Sequence, residues 1–131
     1  MSSIIEVPVA VAEVVDKITI LRIKARLISD QEKRRNVKNE LAILEGALRA
    51  AHPHIEDDLR DVWDDLQQVN QELWDIEDDI RGHEGRKDFG QSFIELARAV
   101  YVTNDRRAAL KRQINLALGS AIVEEKSYQA Y

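Results

Sequence analysis

The chain holds 131 residues and 15.0 kDa, enough for one core of ordinary size and too little for two. Hydrophobic residues make up 44% and charged residues 33%, so the chain is globular rather than disordered, and the high share of Ala, Glu, Lys, Leu and Arg suits long helices. No cysteine is present, which excludes a disulfide scaffold and a Cys-based zinc site, and a net charge of −5 speaks against a general nucleic-acid binder.

Residues 4–11, with Pro8 inside, read as a short extended arm or edge strand. A first helix is expected over 11–28, where Val11, Val14, Ile18, Leu21, Ala25 and Ile28 keep heptad spacing. Ile20, Ile23 and Leu27 add a second stripe, so this helix is expected to sit centrally. Ser29-Asp30-Gln31-Glu32 fits a capping box and opens a second helix carrying Val37, Leu41, Leu44, Leu48 and Ala51. His52-Pro53 ends that helix, because the residue before proline avoids helical geometry.

The third predicted helix, 54–81, has the clearest period. Ile55, Leu59, Val62, Leu66, Val69, Leu73, Ile76 and Ile80 step by four and three without a slip. Trp63 and Trp74 each follow a seam residue and so face a second surface. A glycine-rich joint from Gly82 to Gly90 precedes a fourth helix with Phe93, Ile94, Leu96, Ala97, Val100 and Tyr101 on one side. Thr103-Asn104-Asp105 supplies cap residues for a fifth helix, and Gly119 sits where a helix would close. The segment 120–131 shows no period. The whole reads as one domain, 1–131: an all-α antiparallel bundle with a long coiled-coil-like central helix and a short extended arm.

Charge is unevenly spread. Residues 16–49 and 86–112 each carry net +4, whereas 55–84 holds twelve acids against Arg60 and Arg81. Laying basic segments beside the acidic one, within the chain or across a dimer, relieves the repulsion. The uninterrupted seam formed by Leu59, Val62, Leu66, Val69, Leu73, Ile76 and Ile80 gives such a long helix more apolar surface than its neighbours cover. A homodimer is the expected answer.

Two groups of residues carry candidate chemistry. The run Glu72, Asp75, Glu77, Asp78 and Asp79 places carboxylates three and four apart on a helix, a spacing suited to Mg²⁺ in helical nucleotide pyrophosphohydrolases. Those enzymes need a second acidic pair on a neighbouring helix, and a solvated or salt-bridged face is the favoured reading. Asn104, Arg107 and Lys111 at a helix start offer a grip for a phosphate or carboxylate. Lys17, Lys24 and Arg26 with Arg98 and Arg107 offer a basic pocket for a small dianion, analogous to the all-helical chorismate mutases in architecture alone. Pairing with acids of the third helix is the structural alternative for Arg106, Arg107 and Lys111. The histidines His52, His54 and His83 form no zinc spacing, and no phosphate loop or nucleophile elbow occurs. Lys33-Arg34-Arg35 lacks aromatic neighbours for base stacking, so no nucleic-acid partner is expected. The longest uncharged stretch, 113–123, is too short to span a bilayer, and no signal-like start precedes it, so a cytoplasmic location is expected.

The blocks Leu73-Trp74-Asp75-Ile76-Glu77-Asp78-Asp79-Ile80-Arg81, Phe93-Ile94-Glu95-Leu96-Ala97-Arg98, Asn104-Asp105-Arg106-Arg107 and Lys111-Arg112-Gln113-Ile114-Asn115 carry a resemblance. With Val7-Pro8-Val9, residues 16–21 and Glu124-Glu125-Lys126-Ser127-Tyr128, the chain resembles an uncharacterised family of small bacterial and phage proteins, a domain of unknown function. The resemblance implies no activity, cofactor or catalytic residue. It implies a setting near surface-polysaccharide and glycosyltransferase functions. The expected role is therefore a self-associating binding or accessory protein, with a small all-α enzyme acting on an anionic metabolite or nucleotide as the alternative.

Overall fold

The computed structural model describes residues 3–131. Among them the chain is all-helical: α1 (Val11–Leu27), α2 (Gln31–Ala51), the single turn α3 (Ile55–Asp58), α4 (Arg60–Gly85) and α5 (Gln91–Ala117). Residues 3–10 form neither helix nor strand, and Ile4, Ile5, Val7 and Val9 are exposed, so the arm does not become an edge strand.

Helix α1 is central, packing against α2, α4 and α5. The side chains it buries completely, Ala12, Val15, Ile18 and Thr19, are only partly the expected set. Val11, Val14, Ala25 and Ile28 stay half-buried instead. A hydrophobic pattern passes over Ala, Asp and Thr, yet small and polar residues are what three crowding helices admit. Leu48, Ile55, Val62, Trp63, Leu66 and Ile114 complete the core around α1.

Helix α2 starts one residue later than the capping box suggested. Asp30 is the cap, and its carboxylate accepts from the Lys33 N–H at 2.9 Å. Pro53 follows its end as expected. The long third helix is interrupted at Leu59, which leaves helical geometry at φ −114° and ψ 34° and divides α3 from α4. Helix α4 then runs past Gly82 to Gly85, shortening the joint to residues 86–90. Glycine lowers helix propensity but does not stop a helix that packs along its length.

The predicted fourth and fifth helices are one. Helix α5 runs 27 residues through Thr103-Asn104-Asp105 without a break. Thr103 is buried, Asn104 meets Arg107 within the helix, and Asp105 meets Tyr131, so none of the three caps a new start. Gly119 does close the helix as expected. At φ +63° it lets the Ser120 N–H reach the Asn115 carbonyl at 2.9 Å. Helix α4 ends the same way with Lys87 in the left-handed position, the Asp88 N–H donating to the His83 carbonyl at 2.9 Å.

The seam is likewise divided. Val62, Leu66 and Val69 are buried, whereas Leu59, Leu73, Ile76 and Ile80 are half-buried. Trp63 enters the core with the Arg22 guanidinium 5.2 Å from its ring centroid, a contact suited to a cation over a π face.

Candidate functional groove

Where α1 meets the α4–α5 hairpin, a buried polar cluster joins the three helices. Asp16 is 4% exposed, and its Oδ1 accepts from Asn70 Nδ2 at 2.9 Å and Arg107 Nε at 3.0 Å. Arg107 Nη2 donates to the other carboxylate oxygen. Asn70 Nδ2 also reaches Thr19 Oγ1 at 2.8 Å, and that hydroxyl donates to the Asp16 carbonyl at 2.7 Å. A buried carboxylate persists when a planar guanidinium and an amide occupy its lone pairs in this way. Asp16 holds the Arg107 guanidinium above its ordinary range against the opposing effect of burial.

Two further contacts fix the register of α1 on α5. The Ala12 N–H donates to Asn115 Oδ1 at 2.9 Å, and Lys111 Nζ lies 2.7 Å from Glu13 and 3.0 Å from Glu124. Burial works against the Lys111 charge, yet the two carboxylates raise its pKa overall. Lys111 in turn holds the Glu124 carboxyl below its ordinary value. Residues 120–131, which show no period, run back along α5 on such contacts: Arg112 meets Glu125 at 2.9 Å and the Tyr131 hydroxyl donates to Asp105 at 2.5 Å.

Beside the cluster lies a groove of about 560 Å³. Ile20 and Ile23 of α1 with Leu73 and Trp74 of α4 give it apolar walls. Asn70, Asn104 and Arg107 form its polar end, and Glu77, Asp78 and Arg81 its rim. Asn70 Oδ1 accepts no hydrogen bond among the described residues, and Arg107 Nη1 meets only Asn104 Oδ1, at 3.5 Å. The groove thus presents an acceptor, a donor and an aromatic wall. Its lining contains no histidine, serine or threonine.

The structure draws four of the candidate residues to this groove: Asn104 and Arg107 from the anion set, Glu77 and Asp78 from the metal set. The others lie elsewhere. Lys17 meets Glu40 at 2.8 Å, Lys111 is engaged by Glu13 and Glu124, and Lys24 and Arg98 make no ion pair among the described residues. Glu72 meets Arg106 at 2.9 Å, Asp75 accepts from Gln71, and Glu77 lies 3.3 Å from Arg81. No group of three or more His, Asp or Glu residues able to hold a metal ion is found among the described residues. Arg106 therefore pairs with α4 as the structural alternative expected, whereas Arg107 and Lys111 turn to α1.

Sequence reasoning missed Asp16, Thr19, Asn70 and Asn115, all buried. The available signal was Asp16 and Thr19 standing one turn apart in a helix apolar on several sides, since a polar residue there needs a partner.

Comparison with known proteins places the chain by its sequence. Residues 5–131 match a family of unknown function, DUF6165. The chain belongs to this family. No curated protein and no solved structure matches it. In this DUF6165 member no helix among those described is long and apolar enough to cross a membrane.

Proposed function

We propose that the protein is a self-associating helical binding or accessory protein that works as a homodimer in the cytoplasm. One observation carries this reading. Beyond Asn70 in α4 and before Thr103 in α5, no side chain is fully buried, although this half of the hairpin carries Leu73, Ile76, Ile80, Phe93, Leu96 and Val100. Ile94 and Tyr101 are 48% and 45% exposed on the same stretch of α5. Two paired helices with half-open seams gain most by meeting another helical surface, and a second copy is the partner always at hand. A setting beside surface-polysaccharide synthesis belongs to this reading on the family resemblance alone. Sedimentation equilibrium at micromolar concentration tests it. At least twice 15.0 kDa is expected, and a monomer throughout overturns the reading.

The alternative, a small enzyme acting on an anionic metabolite or nucleotide, has one observation in its favour. Glu77 and Asp78 share a groove with Asn104 and Arg107, acids for Mg²⁺ beside donors for a phosphate. Against it, Arg107 is engaged by Asp16 and Glu77 by Arg81. A thermal-shift series with Mg²⁺, nucleotides, nucleotide sugars and phosphorylated acids separates the two, since a ligand of the folded state raises Tm in a saturable way.

A further inference from the structure

Pairing of basic with acidic segments inside one copy is incomplete. Among the described residues, Lys24, Arg26, Arg34 and Lys38 make no ion pair, and neither do Asp75, Asp78 and Asp79. The cations gather at the corner where α1 passes into α2. Arg34 and Lys38 are one turn apart on α2, and Arg34 Nε is buried without a hydrogen-bond partner among the described residues. The acids occupy the outer half of α4. Arg26 donates to Gln71 Oε1, and Gln71 Nε2 donates to Asp75 Oδ1 at 3.3 Å, so the two patches adjoin on one side of the molecule. Leu27, at the end of α1, is exposed, and Trp74, in the outer half of α4, is half-buried.

Resting on the reading of a self-associating protein, we propose that a second copy docks here, the outer half of α4 of each protomer lying on the α1–α2 corner of the other. Contact of α4 with α4 would bring Asp75, Asp78 and Asp79 of both copies together, and like charges across an interface cost affinity. Contact of α4 with the corner sets those acids against Arg34 and Lys38 instead. Because the two patches adjoin, a two-fold axis between them makes both contacts at once and closes the assembly as a dimer rather than a filament.

A charge-swap experiment on the full chain decides it. Arg34→Glu with Lys38→Glu, and separately Asp75→Lys with Asp78→Lys, each change residues outside the hydrophobic core, Arg34 being half-buried and the other three exposed. Circular dichroism melts confirm that both variants fold. Each variant alone is expected to sediment as a monomer where the wild type is a dimer, with self-association weakened roughly tenfold or more. An equimolar mixture of the two is expected to recover twice 15.0 kDa as a heterodimer. Dimers persisting in both single variants, or a mixture that stays monomeric, overturn the docking while leaving self-association intact. A wild-type monomer at every concentration overturns both. A nucleic-acid mobility shift lost in Arg34→Glu with Lys38→Glu, the protein staying monomeric, assigns the corner to nucleic acid and overturns the docking as well.

Discussion

Arg107 grips the Asp16 carboxylate with two nitrogens at once, closing a contact across 91 positions of sequence inside the helix crossing. The pair ties the first helix to the last, and Asn70 of α4 completes the join. Removing one partner leaves a buried charge uncompensated. Arg107→Ala is expected to lose about 3–5 kcal/mol in urea denaturation. Arg107→Lys should recover only part of that, because an ammonium cannot make the forked contact. A loss under about 1 kcal/mol for the alanine variant would show that water reaches Asp16.

Two leucines of one seam separate core from interface. Leu66 is 0% exposed, and Leu66→Ala should lose about 2–5 kcal/mol of stability. Leu73 is half-buried beside the groove, so Leu73→Ala should lose about 1–2 kcal/mol and weaken self-association as well. Equal losses from both, with association unchanged, contradict the division of the seam.

Acid should weaken the α1–α3 contact. The Arg22 guanidinium holds the Glu56 carboxyl below its ordinary value of 4.5, its nitrogens 2.9 Å from both carboxylate oxygens. A depressed carboxyl contributes stability that is fully present above its unfolded pKa and lost as pH falls through the folded one. Urea midpoints should therefore decline below pH 4.5, and Glu56→Gln should flatten that slope while lowering stability at neutral pH. An unchanged slope in the variant would assign the acid sensitivity to other carboxylates.

Lys87 stands at φ +55° where glycine is the favoured residue. Relief of that backbone strain should let Lys87→Gly gain about 0.5–1 kcal/mol despite the lost contact with Glu84. Thermal unfolding of the pair checks it, and a lower Tm for the glycine variant counts against strain at this turn.

Periodicity revealed what repeats. The apolar steps of α4 and the ends of α2 and α5 were legible because Leu, Ile, Val, Pro and Gly act locally. What stayed hidden was set by partners far away in sequence. Thr103-Asn104-Asp105 looks like a helix start because such residues cap when their side chains are free. Here Arg107 and Tyr131 occupy two of them and the interior takes the third. The candidate site was half legible for the same reason. Arg107 announces itself as a charge, but Asp16 and Asn70, which decide what that charge does, sit on other helices and break no local pattern.

The Ala12 amide in the first turn of α1 is satisfied by Asn115, 103 positions downstream, where Ala10 at the cap position carries no hydrogen-bonding side chain. Helix α1 thus lacks the local signal that lets a short helix start alone, and short isolated helices are marginal even with one. Its first turn is instead held by the far end of α5, a partner that the fold and not the local sequence supplies. Amide hydrogens at the start of α1 should then exchange with solvent in step with those at the end of α5, as one cooperative unit.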